Sequence, residues 1–203
     1  PVRRFRDKVS FTQEYIPPHY LRQWLGAFVA DPGRSRGLAW LCGPGDVGKT
    51  LFTLGLDTQG DRGIGRAVLG DALPPPLAPG VQVLVVALRR EYRCTPLSLG
   101  WEVQRTLDRA EDARPLSISH FLDDPAHRGQ PAAAFCAWLA AIHREAIAHH
   151  PPGTRLLVAL DGLDEAAPPQ PGVHGGAIDA LLPPADALPE GVFLLLTSRD
   201  RGG

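Results

Sequence analysis

Leu38-Ala39-Trp40-Leu41-Cys42-Gly43-Pro44-Gly45-Asp46-Val47-Gly48-Lys49-Thr50 is the stretch from which the rest of the chain can be read. A short apolar run, Leu38 to Cys42, leads into Gly43-Pro44-Gly45-Asp46-Val47-Gly48-Lys49-Thr50, a complete match to G-x-x-x-x-G-K-[ST]. Between a strand-like run and a helix-compatible one, this pattern wraps backbone N–H groups around a phosphate. Gly43, Gly45 and Gly48 fall where a Cβ would clash with the ligand or forbid the required backbone angles. Lys49 is placed in the first turn of the following helix, within reach of β- and γ-phosphates, and the helix N-terminus adds unpaired amides and partial positive charge. Thr50 offers its hydroxyl to Mg²⁺. The competing reading, a chance glycine-rich turn, does not account for the flanking runs.

A second landmark is Leu156-Leu157-Val158-Ala159-Leu160-Asp161-Gly162-Leu163-Asp164-Glu165. An apolar strand ending in aspartate is a Walker B strand, whose carboxylate can hold a magnesium-bound water beside Thr50. Glu165 is the candidate for orienting or deprotonating an attacking water, since that work needs a carboxylate within one water of the γ-phosphate. The alternative for Glu165 is a structural carboxylate in a protein that holds nucleotide and rarely cleaves it. Asp164 either supports magnesium indirectly or caps the next element. A third apolar run, Gly191 to Leu196, ends in Thr197-Ser198-Arg199. Arg199 either senses a γ-phosphate through a charge-assisted hydrogen bond or is a solvated residue at a strand end.

Length and composition narrow the field. The chain has 203 residues, enough for one well-packed α/β domain and too few for two comfortable ones. Its formal net charge is -1, and no basic stretch interleaved with aromatics appears, so direct nucleic-acid binding is not indicated. The three cysteines, Cys42, Cys94 and Cys136, are widely spaced and odd in number, which fits reduced thiols of a cytoplasmic protein. The longest apolar runs are strand length, far below a membrane span, so no membrane partner is expected. The chain opens on Pro1, lacks methionine and stops soon after a strand-like run, and so reads as an excerpt of something longer.

In order, residues 1–36 read as a lead-in segment and helix, and 37–203 as a nucleotide-binding domain whose C-terminal part is incomplete. Leu21, Trp24, Leu25 and Phe28 have helical spacing, stopped by Asp31-Pro32-Gly33. This helix either covers an adenine or serves only for packing. A strand over 37–42, a helix from Lys49 to about Asp57 and a short helix over 66–73 follow. Val81 to Leu88 is apolar and rich in β-branched residues, as a strand buried on both faces requires. The cluster Arg89-Arg90-Glu91-Tyr92-Arg93 is either a solvated loop or a source of arginine for a phosphate or a neighbouring subunit. A helix around Trp101, a helical turn at 119–122, an amphipathic helix over 132–149 and a short helix at 176–182 complete the reading. His143 and His149 are poorly spaced for two ligands on one helical face.

Together, Gly43 to Thr50, the Leu160-Asp161-Gly162-Leu163-Asp164-Glu165 strand end and Thr197-Ser198-Arg199 resemble the signal-transducing P-loop ATPases with numerous domains (STAND), and among them the NACHT group. The resemblance covers roughly Tyr15 to Arg199. It implies a three-layer α/β P-loop NTPase fold of the ASCE type, with a parallel sheet in the order 5-1-4-3-2 whose fifth strand lies outside this chain. It also implies a switch that is closed with ADP, and that opens and self-oligomerises with ATP and Mg²⁺ through this domain, in defence or cell-death pathways. Fused sensor and effector domains would lie beyond the chain. In this scheme Gly43, Pro44, Gly45, Asp46, Val47, Gly48, Lys49, Thr50 and Leu51 bind nucleotide and Thr50 and Asp161 bind metal. Lys49, Asp161, Glu165 and Arg199 then serve a slow hydrolysis. Two alternatives are a scaffold that keeps ADP as a structural ligand and a remodelling ATPase of the AAA+ kind.

Overall fold

The computed structural model describes residues 18–45, 47–57, 69, 75–88, 118–148, 150–165 and 178–199. Outside the described residues lie the lead-in segment 1–17, Asp46, most of the short helix expected at 66–73, the charge cluster 89–93, the helix expected around Trp101 and the start of the one expected at 176–182.

Four strands, β1 (Gly37–Gly43), β2 (Val81–Ala87), β3 (Arg155–Asp161) and β4 (Val192–Arg199), form a parallel sheet in the order β1-β4-β3-β2. Their near-continuous apolar character has a direct cause: both faces of the sheet are covered, so alternation with polar residues is lost. Leu84, Val86, Val158, Leu160, Leu194 and Leu196 face one core, and Val83, Val85, Leu157, Ala159, Phe193 and Leu195 face the other. Of the helices, α1 (His19–Ala30) and α2 (Lys49–Leu54) contribute Leu25, Val29, Phe52 and Leu54 to the second core. The first is filled from α3 (Ile118–Leu122) and α4 (Pro131–Ile147) by Ile118, Phe135, Trp138, Leu139 and Ile142. Short 3-10 turns occur at Pro125–His127, Leu163–Glu165, Ile178–Leu181 and Ala185–Ala187. Among the described residues no helix is long and apolar enough to cross a membrane.

Register decides what reaches the upper rim of the sheet. Gly43 is paired with Arg199, and Ala87 with Asp161, so the glycine loop, the acidic strand end and the Thr197-Ser198-Arg199 end all emerge on one side. At the opposite rim three tight turns feed the strands, through Val81 N–H to Ala78 O, Thr154 N–H to Pro151 O and Val192 N–H to Pro189 O.

Two helices differ from the sequence expectation. Helix α2 ends at Leu54 rather than near Asp57, because Leu56 and Asp57 donate three residues back, to Thr53 O and Leu54 O, tightening the chain out of the α-helix. The Gly55 carbonyl is instead capped by Arg22 Nη1 at 2.7 Å. That contact also reshapes α1, whose buried positions are Arg22, Leu25, Gly26 and Val29. Trp24, expected on the apolar face, is exposed and stacks on Phe28 at a centroid distance of 5.6 Å. A buried guanidinium needs acceptors, and Arg22 finds them in the carbonyls of Gly55 and Pro75. The strand expectations and the long amphipathic helix agree with the structure to within a residue or two. On that helix, burial pushes the Cys136 thiol up from its ordinary value, which disfavours the nucleophilic thiolate.

Candidate functional site

The glycine loop passes directly from β1 into α2. Gly48 is the residue before the helix and has φ 83°, a left-handed conformation that a side chain would strain. No heavy atom lies within 4 Å of where a Cβ would stand on Gly43 or Gly48, so the loop leaves open space at both. Lys49 Nζ donates to Gly43 O at 2.7 Å and to Pro44 O at 2.5 Å. The ammonium is thus held across the loop by the loop's own carbonyls. Thr50 and Leu51 are half-buried in the first turn of α2, while Pro44, Gly45 and Val47 are exposed. This donor set suits an anion: a lysine, a helix start and glycines with room above them.

The acidic strand end is built differently. Asp161 closes β3 with only 2% of its surface exposed. Its Oδ1 accepts from Thr197 Oγ1 at 2.7 Å, and Thr53 Oγ1 lies 3.5 Å away. Thr53 also donates to Lys49 O at 2.9 Å. One threonine hydroxyl therefore sits between the lysine's own turn of helix and the Asp161 carboxylate. Strand alternation explains the meeting, since Asp161 and Thr197 share parity with Ala159 and Leu195 and so face α2. Thr53 was not singled out from sequence, although it lies four residues after Lys49 and hence on the same helix face.

Gly162 follows with φ 84°, and a Cβ there would stand 3.0 Å from Leu88 O. Only glycine permits this sharp departure while Leu88 N–H bonds to Asp161 O at 2.8 Å. Gly162 N–H donates to Thr197 Oγ1 at 3.0 Å. Thr197 is buried and turned onto Asp161 and Gly162. Replacing it with valine keeps the shape and removes both contacts; we expect a loss of about 2–3 kcal/mol in urea unfolding, with serine retaining most of the wild-type stability.

Arg199 ends β4 at the exposed rim and is held by the acidic turn. Its backbone N–H donates to Asp164 Oδ1 at 2.9 Å, its Nε is 3.4 Å from Asp164 Oδ2, and its Nη2 is 3.1 Å from Glu165 Oε1. The arginine stem runs beside the glycine loop, with Cδ 3.9 Å from where a Cβ on Gly45 would be. Glu165, half-buried on its 3-10 turn, is thus joined to Arg199. On the other face of the sheet, exposed Trp40 donates to Ser198 Oγ at 2.9 Å, and Ser198 Oγ lies 3.6 Å from Cys42 Sγ.

The structure therefore brings Lys49, Thr53, Asp161 and Thr197 together, Thr53 bonded to Lys49 O and Thr197 to Asp161, with Gly45, Asp164, Glu165 and Arg199 in an adjoining group. Compared with protein-family models, curated proteins and solved structures, the chain finds no match in any of the three.

Proposed function

We propose that this chain is a magnesium-dependent ATP-binding domain of the STAND type, NACHT-like, which hydrolyses slowly and acts as a switch. The observation that carries the proposal is the Thr53 hydroxyl, bonded to Lys49 O at 2.9 Å and 3.5 Å from Asp161 Oδ1, which sets the phosphate-loop helix against the acidic strand end. The strand order β1-β4-β3-β2 supports an ASCE arrangement, being the run 1-4-3-2 of the order 5-1-4-3-2.

In this reading the backbone N–H groups of the 43–51 loop, Pro44 having none, and the Lys49 ammonium hold the phosphates. Thr50 and Asp161 hold the cation, Glu165 orients water, and Arg199 answers to the terminal phosphate. Such a cation would also rest on nucleotide oxygens, as Mg²⁺ commonly does. Held by Thr50 and Asp161, magnesium would supply charge neutralisation for the phosphates. Assembly of several copies through this domain, with sensor and effector functions on other domains, is part of the same proposal. A second reading, a scaffold that retains ADP without turnover, is favoured by one feature: Glu165 is already engaged by Arg199.

Nucleotide-dependent stabilisation of the full chain tests the proposal. At a hundredfold excess of Mg²⁺–ADP over its Kd, the unfolding free energy should rise by about 2.7 kcal/mol, and by less in EDTA. No shift with any nucleotide would overturn it. ADP that co-purifies and never exchanges would move the conclusion to the scaffold.

A further inference from the structure

Resting on the nucleotide reading above, we propose that Asp164 is a positioning residue. It acts through Arg199, holding the guanidinium against Glu165, and so sets how strongly the site favours a nucleoside triphosphate over a diphosphate.

Asp164 grips Arg199 twice, accepting from its backbone N–H at 2.9 Å through Oδ1 and lying 3.4 Å from its Nε through Oδ2. Glu165 adds a contact at 3.1 Å to Nη2. The Asp164 side chain is 11% exposed and that of Arg199 is 58% exposed, so the acid is fixed and the base can leave. Beside it runs the glycine loop, with Gly45 close to the arginine stem. The guanidinium therefore rests between the loop and the acidic turn. A diphosphate seated on the loop and Lys49 has no need of it. A third phosphate recruits Arg199 and must draw it from two carboxylates. The cost of that release falls on the triphosphate alone, and Asp164 supplies a large part of it. Once the arginine moves, its contact with Glu165 breaks in the same step, so triphosphate binding and the pairing of that carboxylate with Arg199 are linked.

Asp164→Asn isolates the effect, because asparagine keeps an oxygen for the Arg199 N–H while removing the charge. The full chain is titrated with Mg²⁺–ADP and with the slowly hydrolysed Mg²⁺–ATPγS, in wild type, Asp164→Asn, Arg199→Gln and the double variant. In Asp164→Asn, ATPγS affinity should rise about threefold to fivefold relative to ADP, the range for a partly exposed ion pair. In the Arg199→Gln background that gain should vanish, since a double-mutant cycle reports coupling between the two residues. An unchanged ratio in Asp164→Asn overturns the proposal, and so does a gain that survives in Arg199→Gln, which would mark a general field effect. If wild type binds neither nucleotide, the nucleotide reading itself falls and this inference with it, an outcome visible before any variant is compared.

Discussion

Lys49→Ala should weaken Mg²⁺–ATPγS binding by about a hundredfold or more, because charge-assisted bonds to phosphate contribute about 1.5–3 kcal/mol each and the ammonium has no substitute in the loop. The loss is expected on binding rather than on folding. Lys49 Nζ bonds to the carbonyls of Gly43 and Pro44, at the rim, and packs no core. Its removal should lower stability by no more than about 1 kcal/mol. Lys49→Arg should fail to restore affinity, since a planar guanidinium cannot take the place of a compact ammonium inside a tight loop. Calorimetric titration gives the affinities, and urea unfolding of the same preparations gives the stability. Binding that survives Lys49→Ala would remove the loop from the phosphate-holding role.

The largest expected effect on stability belongs to Trp138. This side chain is fully buried in α4 and meets Phe135 at a centroid distance of 5.5 Å, in the core that also holds Val158, Leu160 and Leu194. Trp138→Ala should cost about 3–5 kcal/mol through lost burial and the cavity left behind. That is a large share of a typical domain's margin. The urea midpoint should fall with little change in slope. Trp24→Ala offers the contrast. Trp24 is exposed and stacks on Phe28, so about 1 kcal/mol is expected. Equal losses at the two tryptophans would contradict the layered core described above.

How much of this was legible in the sequence depended on whether the signal was local. Strands β2, β3 and β4 announced themselves because burial on both faces of a parallel sheet leaves an uninterrupted apolar run. The loop announced itself because glycine spacing is dictated by backbone geometry. What stayed hidden depends on partners far along the chain. Arg22 reads as a surface residue until the carbonyls of Gly55 and Pro75 are brought to it. Trp24 reads as core until Arg22 takes the buried position beside it. Thr197 is visible in sequence as the end of an apolar run, but its direction follows from the strand parity it shares with Asp161. The pairing of Arg199 with Asp164 and Glu165 joins two strand ends, and no spacing within either motif encodes it.

The tight turns that feed β2, β3 and β4 lie a whole strand away from Lys49 and Asp161, about 20 Å at some 3.3 Å per residue. Such a separation makes the turn around Pro151 to Thr154 a natural place to graft a fluorophore, an affinity handle or a new chain junction. A probe attached there would report on the domain from its quiet end, while the rim that carries Lys49 and Asp161 stays untouched.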